Sequence, residues 1–223
     1  MAKAYSLPGF AQDLLRIHRA VSRGLIVSVA KGADFMQAGF PDPGMQKGYA
    51  LYIQSLAIVL TSHHSGEDEI AFPYLKEKIP AAPYERLARS HQEIVTLLDA
   101  AGKALPLVEE RGDQAGLVKL VGLLRDISSV WRPHIQTEEW YFSEDALAAT
   151  ISPEEQGRLR AAFGRHGQEH ADPPYLALPF MLFNLEAEDR AAMAASLPSL
   201  VLEELIPKAW REQWAPMQPF LLE

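Results

Sequence analysis

Cysteine does not occur in this sequence of 223 residues. Its absence rules out disulfides, thiolate zinc sites, iron–sulfur clusters and a cysteine nucleophile together, and it agrees with a cytoplasmic setting. Long apolar runs are missing as well. Stretches such as Ser55 to Leu60 fall far short of the ~20 residues that a membrane span needs. From Met1 to Phe10 there is one lysine and no apolar run, so no signal peptide is read there. Positive charge is in deficit: 21 Lys+Arg stand against 29 Asp+Glu, for a formal net charge of -8. No basic stripe stands out, which argues against nucleic acid or an anionic membrane as partner. No nucleophilic triad, phosphate-cradling glycine loop or dinucleotide fingerprint occurs. The expectation is a soluble, cytoplasmic protein.

Alternating β-branched runs are also absent, and helical periodicity takes their place. One apolar stripe runs Leu14, His18, Val21, Leu25, Ser28 and stops before the turn-rich Gly39 to Gly44. A second includes Tyr52, Leu56, Val59, Leu60, His63, Glu67, Ile70 and meets Pro73. A third, Leu87, His91, Ile94, Val95, Leu98, fades near Pro106. The fourth, Leu117 to Glu138 through Leu124, Trp131 and His134, runs out around Phe142. Four such stripes predict an all-α protein, an antiparallel up-down four-helix bundle. Ser152-Pro153-Glu154-Glu155 marks a further helix start, with a Ser cap, Pro at the first position and Glu three residues after the cap. That helix is expected to reach the region of Gly164 to Gly167. The remainder is apolar and punctuated by proline. The division read from the sequence is a bundle with a metal site over residues 1–145 and a C-terminal helical extension packed on it over residues 146–223.

Seven histidines are present, and four of them lie on the apolar stripes, one per predicted helix: His18, His63, His91 and His134. Any one of these, taken alone, reads as a buried imidazole satisfied by a hydrogen bond. Their heights agree, however. His18 and His91 sit about two turns after a helix start, and His63 and His134 about two turns before a helix end. In an up-down bundle those four levels coincide. Glu67 follows His63 by four residues and Glu138 follows His134 by four, which stacks each carboxylate on an imidazole along one helix face. A buried glutamate is costly unless paired or metal-bound, so two of them beside four histidines call for a cation; the alternative is a buried hydrogen-bonded network. Imidazole with carboxylate suits iron, zinc or manganese, and six donors are too many for one tetrahedral zinc. Two ions fit better.

The run His63-His64-Ser65-Gly66-Glu67-Asp68-Glu69-Ile70-Ala71-Phe72-Pro73 resembles the signature segment of hemerythrin-like (HHE cation-binding) domains. The run His134 to Phe142 resembles a second copy. His18 and His91 are similar to that family's other helix-borne ligands. The resemblance covers roughly Phe10 to Phe142. It implies a non-haem centre of two iron ions, oxo- or hydroxo-bridged and spanned by two carboxylates, which binds or senses oxygen, nitric oxide or peroxide. A di-iron enzyme of peroxidase or oxidase type and an iron storage or delivery protein are the alternatives. The third helix departs from the oxygen carriers: four residues either side of His91 stand Leu87 and Val95, where a second histidine is expected. His64, beside His63, is one replacement, although an auxiliary role that orients a ligand is favoured for it; His170, or less readily His166, reaching in from the next segment is another; an open position is the third. Glu139 is an alternative to Glu138 as the bridging group, but Glu138 fits the stripe of Trp131 and His134 better. His166 and His170 are four apart, a spacing that suits a metal on a helix or a structural role. The extension is read as covering the bundle, closing the site or forming a homodimer surface.

Overall fold

The computed structural model describes residues 9–222; Met1 to Pro8, most of the segment read as free of a signal peptide, and Glu223 lie outside the described residues. Helix α1 spans Phe10–Ala38 and ends on Gly39, whose φ of 75° and ψ of 171° suit only a residue without a side chain. Asp42 caps α2, Pro43–Gly66, by accepting from the Met45 N–H, with Pro43 in the first turn. The chain continues without a break through a wide π turn, Glu67–Ala71, into α3, Phe72–Lys78. Helix α4, Tyr84–Arg111, stops at Gly112 in the left-handed conformation. Asp113 then caps α5, Gln114–Tyr141.

The third stripe fades near Pro106, yet its helix runs on to Arg111, and the fourth runs to Tyr141, as the sequence leads one to expect. Pro106 lies inside α4 and Pro133 inside α5. Each removes one helix hydrogen bond, but Pro106 and Pro133 are exposed, as are Gly102 and Ser129 four residues before them, so the freed carbonyls are on the water side. Proline breaks a helix where that carbonyl would be buried, and here it is not.

Packing links α1 with α2 and α5, and α4 with α2 and α5, which closes four long helices into a ring. Neighbours run antiparallel. At one end Gln46 Nε2, early in α2, donates to the Val108 carbonyl, late in α4, over 2.7 Å, and Gln114 Nε2 at the start of α5 donates to the Met36 carbonyl at the end of α1. At the other end the stripes bring their histidines together. The core between is filled by side chains such as Leu25, Tyr52, Leu56, Leu60, Ile94, Leu124 and Trp131, all buried.

The later elements are α6 (Glu144–Thr150), α7 (Pro153–His170), α8 (Pro174–Phe183), α9 (Ala187–Ala194), a π segment (Val201–Ala209), α10 (Arg211–Trp214) and a final 3-10 turn (Ala215–Phe220). Helix α7 opens with the full capping box at Ser152 and Glu155, and it runs through Gly164 and Gly167 to His170, one turn past its expected end. Helix α8 lies on α1 and α2, and the final turn on α2. Their side chains Phe180, Met217 and Phe220 join the same apolar cluster as the bundle. Glycines permit that approach: a Cβ at Gly24 would stand 2.6 Å from the Phe180 ring, and one at Gly48 would meet the Pro216 carbonyl oxygen. Arg23 then ties the layers, donating to Asn184 Oδ1 and to the Phe220 carbonyl. No helix among the described residues is long and apolar enough to cross a membrane.

Because Phe180 is fully buried between α1 and α2, Phe180→Ala is expected to cost about 3–5 kcal/mol of stability, from lost apolar burial and the cavity left behind. Urea unfolding measures it. A loss below about 1 kcal/mol would show that α8 contributes little to the common core.

Candidate metal centre

The centre starts with a local irregularity in the backbone. In a regular helix the Pro73 ring would clash with the Glu69 carbonyl. Between Glu67 and Ala71 the helix widens instead, and the Phe72 N–H bonds five residues back to the Glu67 carbonyl. The chain thus passes the proline without leaving the bundle, and Glu67 remains inside, 1% exposed.

Seven donor residues converge beneath this turn. His18, His63, His64, Glu67, His91, His134 and Glu138 are each at most 3% exposed. Consecutive His63 and His64 both point inward because α2 has a neighbour on each side. The His63 ring lies 5.3 Å from that of His18 on α1, whereas His64 stacks on His91 of α4 at 4.1 Å and 16°. His63 Nε2 is 3.3 Å from Glu67 Oε2, and His91 Nε2 is 3.4 Å from the same oxygen. His134 Nε2 and His18 Nε2 approach Glu138 Oε2 at 3.2 and 3.3 Å. His91 Nε2 and His134 Nε2 stand 3.1 Å apart. That is about the separation two nitrogens keep when each binds one ion at ~2.1 Å.

Two groups of potential ligands emerge, each with one atom per residue within 4.8 Å of the others. One is His64, Glu67, His91 and His134; the other is His18, His63, Glu67 and Glu138. Glu67 belongs to both. His64 lies in the first group, stacked on His91 of the third long helix of the bundle. His170 does not join: it is exposed, near the end of α7, and stacks on His166 instead. Between Glu138 and Glu139, the buried member is Glu138.

Both oxygens of Glu67 and of Glu138 lack a hydrogen-bond partner, as do both ring nitrogens of His63 and His64. Buried polar atoms left this way are costly, and so many in one place fit a cation that accepts their lone pairs. The donor set, imidazole and carboxylate, is the one that first-row transition metals take.

A second layer escapes sequence reading. Asp68 Oδ1 accepts from His91 Nδ1 at 2.9 Å, and Glu139 Oε1 accepts from His18 Nδ1 at 3.0 Å. A proton on Nδ1 leaves the Nε2 lone pair facing inward. The signal was present in the repeat: each buried glutamate is followed at once by a second acid. Trp131 was read only as a core residue. Its ring lies 5.4–5.9 Å from those of His18, His63, His64 and His134, held by a 2.9 Å bond from Nε1 to Ser22 Oγ.

Protons take up the charge balance when no cation does so. Burial disfavours charge on His18, yet Glu138 and Glu139 beside it raise it to about 9. Burial likewise opposes charge on His91, and Asp68 and Glu67 bring it to about 10. Burial, with the neighbouring histidines, holds His63 and His64 well below the ordinary range. Burial and the charge of Glu138 push Glu67 up to about 8, and against burial His134 and His18 hold Glu138 well below the usual carboxylate range.

A buried layer of imidazoles and carboxylates inside a ring of helices defines the class, a helical bundle built to take a cation. Residues 12–144 match the hemerythrin HHE cation binding domain, more than half of the chain, and the protein belongs to that family. The comparisons found no match among curated proteins and none among solved structures.

Cation uptake must displace the protons on His18, His91 and Glu67, whose raised values keep them protonated at pH 7. Loading the metal-free protein at pH 7 is therefore expected to release more than one proton per chain, and fewer as the pH rises through 8 to 10. Calorimetry in two buffers of different ionisation enthalpy counts them. Release of none at pH 7 would mean that the cluster is already deprotonated.

Proposed function

We propose that the protein holds two iron ions, oxo- or hydroxo-bridged, and uses them to bind or sense oxygen, nitric oxide or peroxide. One ion takes His64, His91 and His134; the other takes His18 and His63; Glu67 and Glu138 span the pair. The observation that carries this reading is the presence of two donor groups sharing Glu67, since one shared carboxylate between two sets of histidines suits two neighbouring ions better than one.

The surroundings of the donors support a small ligand. Phe72 stacks on His91 at 5.4 Å, Phe163 of α7 lies 6.1 Å from His63, and Trp131 closes the floor. With every donor at most 3% exposed, only a molecule of a few atoms fits the centre without moving a helix. Iron, when bound, supplies the ligand affinity and the one-electron chemistry. The chain's own part is to hold five imidazoles with Nε2 or the free nitrogen inward, to exclude water, and to keep Glu67 and Glu138 between the ions. Asp68 and Glu139 orient the imidazoles of His91 and His18.

The shared carboxylate gives a specific test. Iron content and the near-ultraviolet and visible spectrum are to be measured in air, on protein from iron-supplemented cells. The wild type is expected to carry about two irons per chain with oxo-bridge charge-transfer bands. His64→Ala should lose about half of the iron and the bands, whereas Glu67→Ala should lose nearly all of it. Equal iron in all three proteins would sink the assignment, and one zinc per chain in the wild type would put the chemistry elsewhere.

A further inference from the structure

A second cluster of potential ligands lies outside the buried centre, where α7 crosses the π turn. It consists of Glu69, His166 and His170, with one atom of each within 4.8 Å of the other two. None of the three belongs to the two buried donor groups. His166 and His170 are one turn apart on α7, and their rings stack at 3.9 Å and 11°. Glu69 comes from the π turn, and its Oε2 is 3.9 Å from His166 Nδ1.

Hydrogen bonds engage one nitrogen of each ring. Ser65 Oγ lies 3.1 Å from the Ser62 carbonyl and 2.8 Å from His166 Nε2, within hydrogen-bond reach of both. That contact engages His166 Nε2, and the other ring nitrogen, Nδ1, faces Glu69. His170 Nδ1 donates to the His166 carbonyl at 2.9 Å, which leaves its lone pair on Nε2. Each imidazole thus has one ring nitrogen engaged by an oxygen and a second nitrogen outside that bond. Metal-binding histidines are commonly prepared in this way.

We propose that Glu69, His166 and His170 form a separate site for one first-row divalent cation. Two imidazoles and one carboxylate are a ligand set for zinc or ferrous iron that leaves positions for water. Glu69 and His170 are exposed, so the cation enters from solvent, while His166 is buried at 6% and anchors the site. The ion would bridge α7 to the turn carrying Glu67. The two elements already touch closely there, since a Cβ at Gly66 would lie 3.0 Å from Phe163 and 3.3 Å from His166. An occupied site fastens the helix whose Phe163 covers His63. The inference does not depend on which metal fills the buried centre.

Cobalt(II) titration, followed by its visible absorption and by metal analysis after gel filtration, tests the site. It uses the full chain as purified, with its iron in place. The wild type is expected to bind one more cobalt per chain than His170→Ala does, and Glu69→Gln should weaken that ion at least tenfold. Both positions are exposed, so neither change threatens the fold, and iron content should be the same in all three proteins. Equal cobalt stoichiometry and affinity in the wild type and His170→Ala would overturn the proposal. So would a fall in iron in His170→Ala, because that would assign His170 to the buried centre.

Discussion

Two carboxylates, Glu67 and Glu138, are taken out of water in this bundle with no hydrogen-bond donor properly placed on any of their four oxygens. The desolvation penalty for such groups is several kcal/mol each, more than a single apolar contact returns. The arrangement around them follows from that cost. Five imidazoles face them, and each of those must present a lone pair or a proton to the same space. In the protein without a cation, the balance is struck by protons on His18, His91 and Glu67. A cation supplies the same positive charge without occupying the lone pairs with hydrogen. The family to which the chain belongs is a cation-binding one, which agrees with this electrostatic demand.

The backbone meets the demand by an exception to regular helix geometry. Pro73 could have ended the second helix, and with it the wall behind Glu67. The π turn absorbs the missing N–H and the bulk of the ring, so the helix carries on as α3 and Phe72 packs on His91. The same turn offers Asp68 to His91 and Glu69 to α7. One widened turn therefore serves the buried donors, their outer hydrogen bonds and the contact with the extension. Irregular helix of this kind costs hydrogen-bond quality, and it survives here because three sets of contacts depend on it.

Much of this was legible in the sequence, because periodicity reports which residues share a face. The stripes placed His18, His63, His91 and His134 at one height, and the i to i+4 steps added Glu67 and Glu138. His64 was ambiguous for a physical reason. A stripe assigns one inward face per helix, but α2 is flanked by α1, α4, α7 and α8 and so buries more than one. The role of Asp68 could not be read, since its partner His91 is 23 residues away on another helix. Pro106 misled because proline's effect depends on whether the orphaned carbonyl meets water. His166 and His170 were legible as a pair but not in place. That required knowing that α7 stays helical through Gly164 and Gly167, which only its packing on α1 and α2 decides.

The placing of the acids follows a rule that the electrostatics make clear. Four carboxylates act on the centre: Glu67 and Glu138 at 1% and 0% side-chain exposure, Asp68 and Glu139 at 41% and 37%. Two divalent cations would bring as many positive charges as these four bring negative ones. Burying all four acids would multiply the desolvation penalty, and leaving all four at the surface would let water screen them from the ions. The division used here puts two where their lone pairs can reach an ion directly. The other two remain half in water and act through the Nδ1 protons of His18 and His91, raising the basicity of the imidazoles without adding further buried charge.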